Sequence, residues 1–199
     1  MHDLGAIQLD ALREVANIGA GHAATALSQL TNRRVLVEVP TVRVGVAARA
    51  SDDAGQDYAT VRMQVLGDVT GETLQVFPQA TARRIAGILT GATGGSVASF
   101  GDMERSALIE AGNIVAGAYL NALSDFMGML LLMSVPTMSL GQMPFPGTDD
   151  VAESGAATAL VLDTRFRMDG EEGEELDGQF ILVPDGPSIR AMLESINVA

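Results

Sequence analysis

The sequence predicts an α/β (α+β) protein with a pseudo-twofold internal duplication, its helices packed outside a shared antiparallel or mixed β-sheet. Three observations predict it. A polar pattern is written twice, as Asp10-x-x-x-Glu14-x-x-Asn17 and, 96 residues later, as Ser106-x-x-x-Glu110-x-x-Asn113. Each asparagine is followed at the same distance by a proline, Pro40 and Pro136. Each half also runs in one order: long helix, strands, hairpin, short helix. Such a half leaves a sheet face to be covered, and two halves can share one sheet about a pseudo-twofold axis.

Residues 4–31 read as a long helix, because Leu4, Leu12, Val15, Ile18, Ala26 and Leu30 form an apolar stripe near the 3.6 period. Asp10, Glu14, Asn17 and Gly21 fall at i, i+4, i+7 and i+11 and share a polar face. Thr31 to Arg34 ends the helix and brings arginines to its negative end. Val35 to Val39 reads as a strand that stops or reaches an edge at Pro40, and Val42 to Ala47 alternates in a way that can continue the sheet. Ser51 to Gly55 reads as a turn. Tyr58 to Val65 and Thr73 to Phe77 form a hairpin around Gly67 and Gly71, and Pro78 opens a helix to Leu89.

The Gly-, Ser- and Thr-rich stretch 91–101 is the joint. The expected organisation is therefore a single domain, 1–199, made of repeats 1–90 and 101–199. Asp102 is the expected N-cap of the second long helix, which runs to Phe126 and carries Ser106, Glu110, Asn113 and Gly117 on one face. Leu130 to Val135 is its strand, closed by Pro136. A loop at 141–154, strands at 156–166 and 179–183, an exposed acidic hairpin loop at 169–178 and a helix at 187–196 complete the chain. Pro78 and Arg84 match Pro184 and Arg190 at a spacing of 106, which places a net insertion of ten residues in the acidic loop region.

The totals bound the function. A chain of 199 residues with 47% apolar residues has enough material for a sizeable core. A net charge of −13 repels a nucleic-acid backbone. No cysteine is present, and every basic residue is arginine, which removes thiolate, Schiff-base and P-loop lysine chemistry. The N-terminus has no basic region followed by an apolar one, and the longest apolar run, Phe126 to Val135, is about half of what spans a bilayer. The expected location is cytoplasmic, without membrane insertion.

The two copies set out what chemistry is available. A carboxamide is no general base at neutral pH, but it can hold a water, its oxygen accepting and its NH2 donating. A phosphoryl-transfer site mainly needs an in-line, positioned water. A glutamate one turn away can pair with a cation of a partner. Such a site works only if the partner brings the phosphate, the metal and the lysine. The bland alternative is that exposed Glu and Asn merely solvate a helix; duplication with the spacing to proline intact weighs against it. Gly21 and Gly117 either serve close helix packing, with Gly19, Ala20, Ala23 and Ala24, or keep the surface low for another protein.

Other motifs fail. Gly19-Ala-Gly21-His-Ala-Ala24 matches a dinucleotide fingerprint but lies in a helical pattern and follows no strand. The glycines at 91–95 lack the lysine of a phosphate loop. His2 and His22 have no second metal ligand at a suitable spacing, and His22 is expected to be partly buried. The methionines between 127 and 143 are expected in core or sheet packing.

The doubled pattern resembles that of the CheC/CheX/FliY phosphatases of chemotaxis. The segments Glu14-Val-Ala-Asn17-Ile-Gly-Ala-Gly and Glu110-Ala-Gly-Asn113-Ile-Val-Ala-Gly are similar to that family's most recognisable stretches. Two intact copies and no appended flagellar-switch domain look most like the CheC group. The resemblance implies dephosphorylation of a phosphorylated CheY-like response regulator. Asn17 and Asn113 would orient the attacking water, and Glu14 and Glu110 would pair with the regulator's lysine. Asp10, Gly21, Ser106 and Gly117 would face the partner. It implies no cofactor of the chain's own, with Mg2+ sitting on the regulator. CheD, a receptor deamidase, is a further implied partner, although Ser139 to Pro144 departs from the Asp-Met usual near there. A non-catalytic module that regulates CheD or sequesters a receiver is the alternative.

Overall fold

The computed structural model describes residues 5–45, 57–92, 96–142, 159–169 and 175–196. In chain order the elements are α1 (Ala6–Thr31), β1 (Val35–Val37), β2 (Thr41–Gly45), β3 (Tyr58–Gly67), β4 (Gly71–Pro78) and α2 (Gln79–Thr90). The second set is α3 (Asp102–Met127), β5 (Leu131–Met133), β6 (Thr137–Gly141), β7 (Ala159–Asp169), β8 (Glu175–Pro184) and α4 (Gly186–Ser195). The predicted turn at 51–55, most of the loop at 141–154 and the tip of the acidic hairpin lie outside the described residues.

The two long helices start and stop by the same devices. The Gln8 side chain accepts from the Gly5 N–H at 3.0 Å, and Glu104 accepts from the Gly101 N–H at 3.0 Å. Asn32 and Gly128 close them in the left-handed conformation, at φ 51° and 65°. The N-cap of α3 is thus Gly101, and the expected cap Asp102 is already the first helical residue. Its charge in the first turn still complements the helix dipole.

All strand pairs are antiparallel, in the order β1/β2–β7–β8–β4–β3–β5/β6. The centre is the β4–β8 pair. Each half's own hairpin, β3–β4 or β7–β8, carries on its outer side the short strands of the other half. β1 and β2 lie on β7, and β5 and β6 lie on β3. The two repeats are therefore interlocked through their edges.

Both edges carry the same defect. Val37 pairs with Phe166 and Thr41 with Asp163, so residues 38–40 oppose only Thr164 and Arg165. Met133 pairs with Val65 and Thr137 with Arg62, so residues 134–136 oppose only Met63 and Gln64. These are β-bulges with one extra residue on the edge strand. Glu38 N–H still donates to Arg165 O at 3.0 Å, and Ser134 N–H to Gln64 O at 2.9 Å. Pro40 and Pro136, which have no N–H to offer a ladder, are the last residue of each bulge. The expectation that Pro136 closes its strand is corrected: the edge continues as β6.

Two more readings change. Of the acidic segment 169–178, the described residues Asp169 and Glu175 to Gly178 are strand and not loop, with Asp169 opposite Glu175. The later halves also correspond one position further on than the prolines indicate. The buried residues Thr81, Ala82, Ile85 and Ala86 of α2 answer Ser188, Ile189, Met192 and Leu193 of α4. Pro78 ends its strand immediately before α2, whereas Asp185 intervenes between Pro184 and α4. The extra residue is a capping residue, which a match on prolines cannot register.

The main core lies between the helices and one sheet face. It joins Leu12, Val15 and Leu27 of α1 and Leu108, Leu120 and Leu123 of α3 to Val61, Met63, Phe166, Phe180 and Leu182. Alternate residues of the central strands, Leu74, Val76, Ile181 and Val183, form a second, smaller cluster with Tyr58. Met127 is buried, and Met129, Met133 and Met138 pack on the main core, as the sequence predicts; Met143 lies outside the described residues.

Interlocked edges predict that neither repeat folds alone. Fragments 1–92 and 96–199 are each expected to lack a cooperative thermal transition and to regain one on mixing; circular dichroism melts check this. The α4 cap gives a second prediction. Asp185 accepts from Ser188 N–H at 2.9 Å and from the Thr70 hydroxyl, while Thr70 N–H donates to Ser188 Oγ at 2.7 Å. Partial burial pushes the Asp185 carboxyl up, but the hydrogen bonds from Ser188 and Thr70 and the charge of Arg190 outweigh this and hold it below its usual value. Its stabilising effect is then fully present above the unfolded carboxyl's value of roughly 4 and is lost as pH falls through the folded one. Asp185→Ala should cost about 1 kcal/mol at pH 7, and the gap from wild type should shrink in acid; urea midpoints at pH 7 and pH 3 measure both.

Candidate functional site

The repeated motif lies on the faces of α1 and α3 that point away from the core. Leu12, Val15, Ala16, Gly19 and Ala23 fill the buried side of α1, and the periodicity turns Asp10, Glu14, Asn17 and Gly21 outward. All four are exposed. On α3, Leu108, Ala111, Gly112, Val115 and Tyr119 are buried, Ser106 and Glu110 are exposed, and Asn113 and Gly117 are half-buried. The structure thus brings each set together on one helix face, as two separate copies.

Among the described residues, the side chains of Glu14, Asn17, Glu110 and Asn113 take part in no hydrogen bond or ion pair. Asp10 differs, being paired with Arg13 at 3.0 Å. The four side chains are free to meet an outside group. Packing needs do not account for them, because the residues that anchor the helices are their neighbours. Gly112, immediately before Asn113, presents its carbonyl to the Gln75 side chain of the central strand at 2.6 Å. A Cβ on Gly112 would lie 2.8 Å from Val61 Cγ1. The helix is therefore seated on the sheet one residue before the outward asparagine.

The glycines divide into two kinds by what surrounds them. A Cβ on Gly19 would lie 2.8 Å from Tyr119 Cε2, so Gly19 is there for helix packing. A Cβ on Gly21 would meet nothing within 4 Å, and one on Gly117 would make only ordinary contact with Met133 Cε at 3.4 Å. Nothing inside the protein asks for glycine at 21, although glycine within a helix costs roughly 0.5–1 kcal/mol relative to alanine. What it provides is a low, bare surface beside Asn17.

Other candidates find no support in the geometry. His22 is exposed and not partly buried as expected, because it points out with Gly21. Among the described residues no three His, Asp or Glu side chains gather as metal ligands. The carboxylate and carboxamide of each Glu–Asn pair make a poor cage for a hard cation, which takes several oxygens, and the further carboxylate of the first copy, Asp10, is paired with Arg13. Among the described residues no helix is long and apolar enough to cross a membrane. What the sequence did not reveal is the bulge beside each helix, since a proline in a short apolar run reads as a stop.

Fold and site together define a duplicated helix-on-sheet protein whose distinctive residues stand on open helix faces and not in a pocket. Residues 7–44 and 103–140 match the model of the CheC-like family, one match for each copy. The chain is 34% identical to the CheY-P phosphatase CheC of Bacillus subtilis, over 96% of this chain and 95% of that protein. The crystal structure of Thermotoga maritima FliY has the same fold, with a TM-score of 0.75 at 23% identity and 98% of both chains covered. A CheX from Borrelia burgdorferi, crystallised with CheY, BeF3 and Mg2+, aligns with a TM-score of 0.53 at 18% identity, covering 89% of this chain and 99% of that one. The chain belongs to the CheC-like family.

The two kinds of glycine make opposite predictions. Gly21→Ala should raise stability by about 0.5–1 kcal/mol. Gly19→Ala should lower it by about 1–3 kcal/mol, because the Tyr119 ring it meets is held in the core. Chemical denaturation of the two variants distinguishes them.

Proposed function

We propose that this chain hydrolyses the aspartyl phosphate of a CheY-like receiver domain. The observation that carries the reading is the twofold presence of an outward Glu–Asn pair one helical turn apart, fully exposed in the first copy and with a half-buried asparagine in the second. Among the described residues these side chains are unengaged, and they stand beside a glycine with room for a Cβ. The full-length likeness to a CheY-P phosphatase supports it, as does the likeness in fold to a CheX seen with CheY.

In this reading Asn17 or Asn113 enters the receiver's acidic pocket. Its carboxamide oxygen accepts from a water and its NH2 donates, which holds the water in line with the phosphorus. Water attacks phosphorus, the bond to the receiver's aspartyl oxygen breaks, the carboxylate is regenerated, and inorganic phosphate leaves. Mg2+ belongs to the receiver and neutralises the phosphoryl oxygens there. Glu14 or Glu110 pairs with the receiver's lysine and sets the docking register, a charge-assisted contact that grows as water is excluded. Asp10, Gly21, Ser106 and Gly117 frame the approach. The gain is positional: the asparagine fixes a water that is otherwise free.

The test is the decay of receiver phosphate with the wild type, each single Asn→Ala variant and the double. The double variant Asn17→Ala/Asn113→Ala should return the decay to the receiver's spontaneous rate while still binding the receiver, and each single variant should retain part of the activity. Undiminished activity of the double variant would sink the mechanism. Binding without accelerated decay in the wild type would favour a sequestering module.

A further inference from the structure

We propose that the bulged edge strands form a second wall of the docking surface, with Val39 and Val135 making apolar contacts to the receiver. This inference rests on the reading above.

Among the described residues, four large apolar side chains stand out for exposure: Val135 at 84%, Ile7 at 76%, Val39 at 73% and Met103 at 69%. They form two pairs, each at the 96-residue spacing of the Glu–Asn motif. Single exposed hydrophobic residues are ordinary on a soluble surface. Recurrence in register with the candidate site is a different matter, because no burial requirement preserves it. Leu36 and Leu132, at 48% and 51%, repeat at the same interval on the same edges.

The bulge explains how Val39 and Val135 come to face outward. Each is the middle residue of the three that oppose two, and each precedes the proline. A bulge unpairs a residue and re-aims its side chain. In a plain edge strand, a valine would alternate with its neighbours between the two sheet faces.

The bulges also lie beside the site helices. Val37 borders a small crevice with Ala20, Ala23, Ala24 and Leu27 of α1, so β1 passes along the turn that contains Gly21. Its counterpart Met133 stands within contact distance of a Cβ built on Gly117. In both halves the bulge starts at the next residue. Helix face and bulge are therefore one continuous surface. The constant distance from asparagine to proline has a physical meaning here: it is the length of chain that carries the strand back to the level of the site. Ile7 and Met103 stand two turns before the glutamates on the same helix face, at the far end of that surface.

The chemistry of the surface matches one occupant. An acidic and carboxamide stripe, bare at Gly21, meets a lysine and a phosphorylated pocket. In the reading above a receiver domain supplies both, and Val39 and Val135, standing uncharged at the side of the stripe, would meet apolar atoms of that same receiver.

The experiment uses the full chain with Val39→Ser and Val135→Ser combined; both positions are exposed, and thermal melts confirm the fold. Affinity for the beryllofluoride-loaded receiver and the kinetics of receiver dephosphorylation are measured beside the Asn17→Ala/Asn113→Ala variant. The valine variant should bind about tenfold more weakly and lose about tenfold in kcat/KM, through KM. The asparagine variant should lose kcat and retain affinity. Affinity of the valine variant within twofold of wild type overturns the proposal, and so does a loss confined to kcat. A wild type that binds the receiver without turnover overturns the phosphatase reading, while the binding titration still decides the role of the bulge.

Discussion

The exchange of edge strands between the two halves is the constraint on which the rest of the structure depends. β1 and β2 leave their own half to pair with β7, and β5 and β6 leave theirs to pair with β3. Backbone polar groups must be paired when buried, so the hairpins β3–β4 and β7–β8 depend on the opposite half for their outer ladder. The site helices inherit this arrangement. α1 packs over β1 and β7, one strand from each half, and α3 packs over β5 and β3 in the same way. Each copy of the motif therefore stands on material from both repeats, and a change in either half is felt beneath both helices.

The same constraint explains what the sequence disclosed. Helix length, the outward face of the motif and the hairpin β3–β4 follow from local periodicity, and all were legible. The bulges were not, because bulging is a relation between strands distant in sequence. Pro40 and Pro136 look like stops when only their own strand is considered, and β6 was missed for that reason. The hairpin β7–β8 reaches further than expected: its ladder continues past Arg167 opposite Asp177, an opposite-charge pair, to Asp169 opposite Glu175. Arg167 also reaches Glu38 of β1 at 2.7 Å, joining the lent strand to its host. Composition marks that stretch as loop, and only the partner strand makes it sheet.

The halves are related but not equal. Tyr119 of α3 occupies the position of Ala23 in α1, and its ring lies between Gly19 and Phe180, stacked on the latter with centroids 4.2 Å apart. Burial pushes its hydroxyl pKa well above the ordinary range, so the group stays neutral, and that hydroxyl is buried without a hydrogen bond. Such an orphan costs about 1–3 kcal/mol, which the stacked ring offsets in part. On the other side, where alanine replaces the ring, the small crevice at Ala20, Ala23 and Ala24 remains. The core side of α1 thus carries a small alanine where α3 carries the Tyr119 ring. The surfaces differ in the same sense: Asn17 is exposed where Asn113 is half-buried, and Gly21 is bare where Gly117 has Met133 beside it. Duplication preserved the polar motif and let the supporting core diverge.

That divergence sharpens the case for the motif itself. A duplicated fold could keep polar helix faces for packing alone, but packing is what changed between the copies: Gly19 answers Val115, Ala23 answers Tyr119 and Gly112 answers Ala16. Of the outward set only Asp10, which answers Ser106, changed. Glu14 and Asn17 recur as Glu110 and Asn113, Gly21 recurs as Gly117, and among the described residues no hydrogen bond or ion pair engages the four polar side chains. In the proposed reading, outward residues that persist while several of their supports are exchanged answer to a partner. A glutamate, a carboxamide and a bare turn make only part of a reaction centre. An outside surface that supplies the rest, and approaches closely enough to need glycine, is the partner such a set requires.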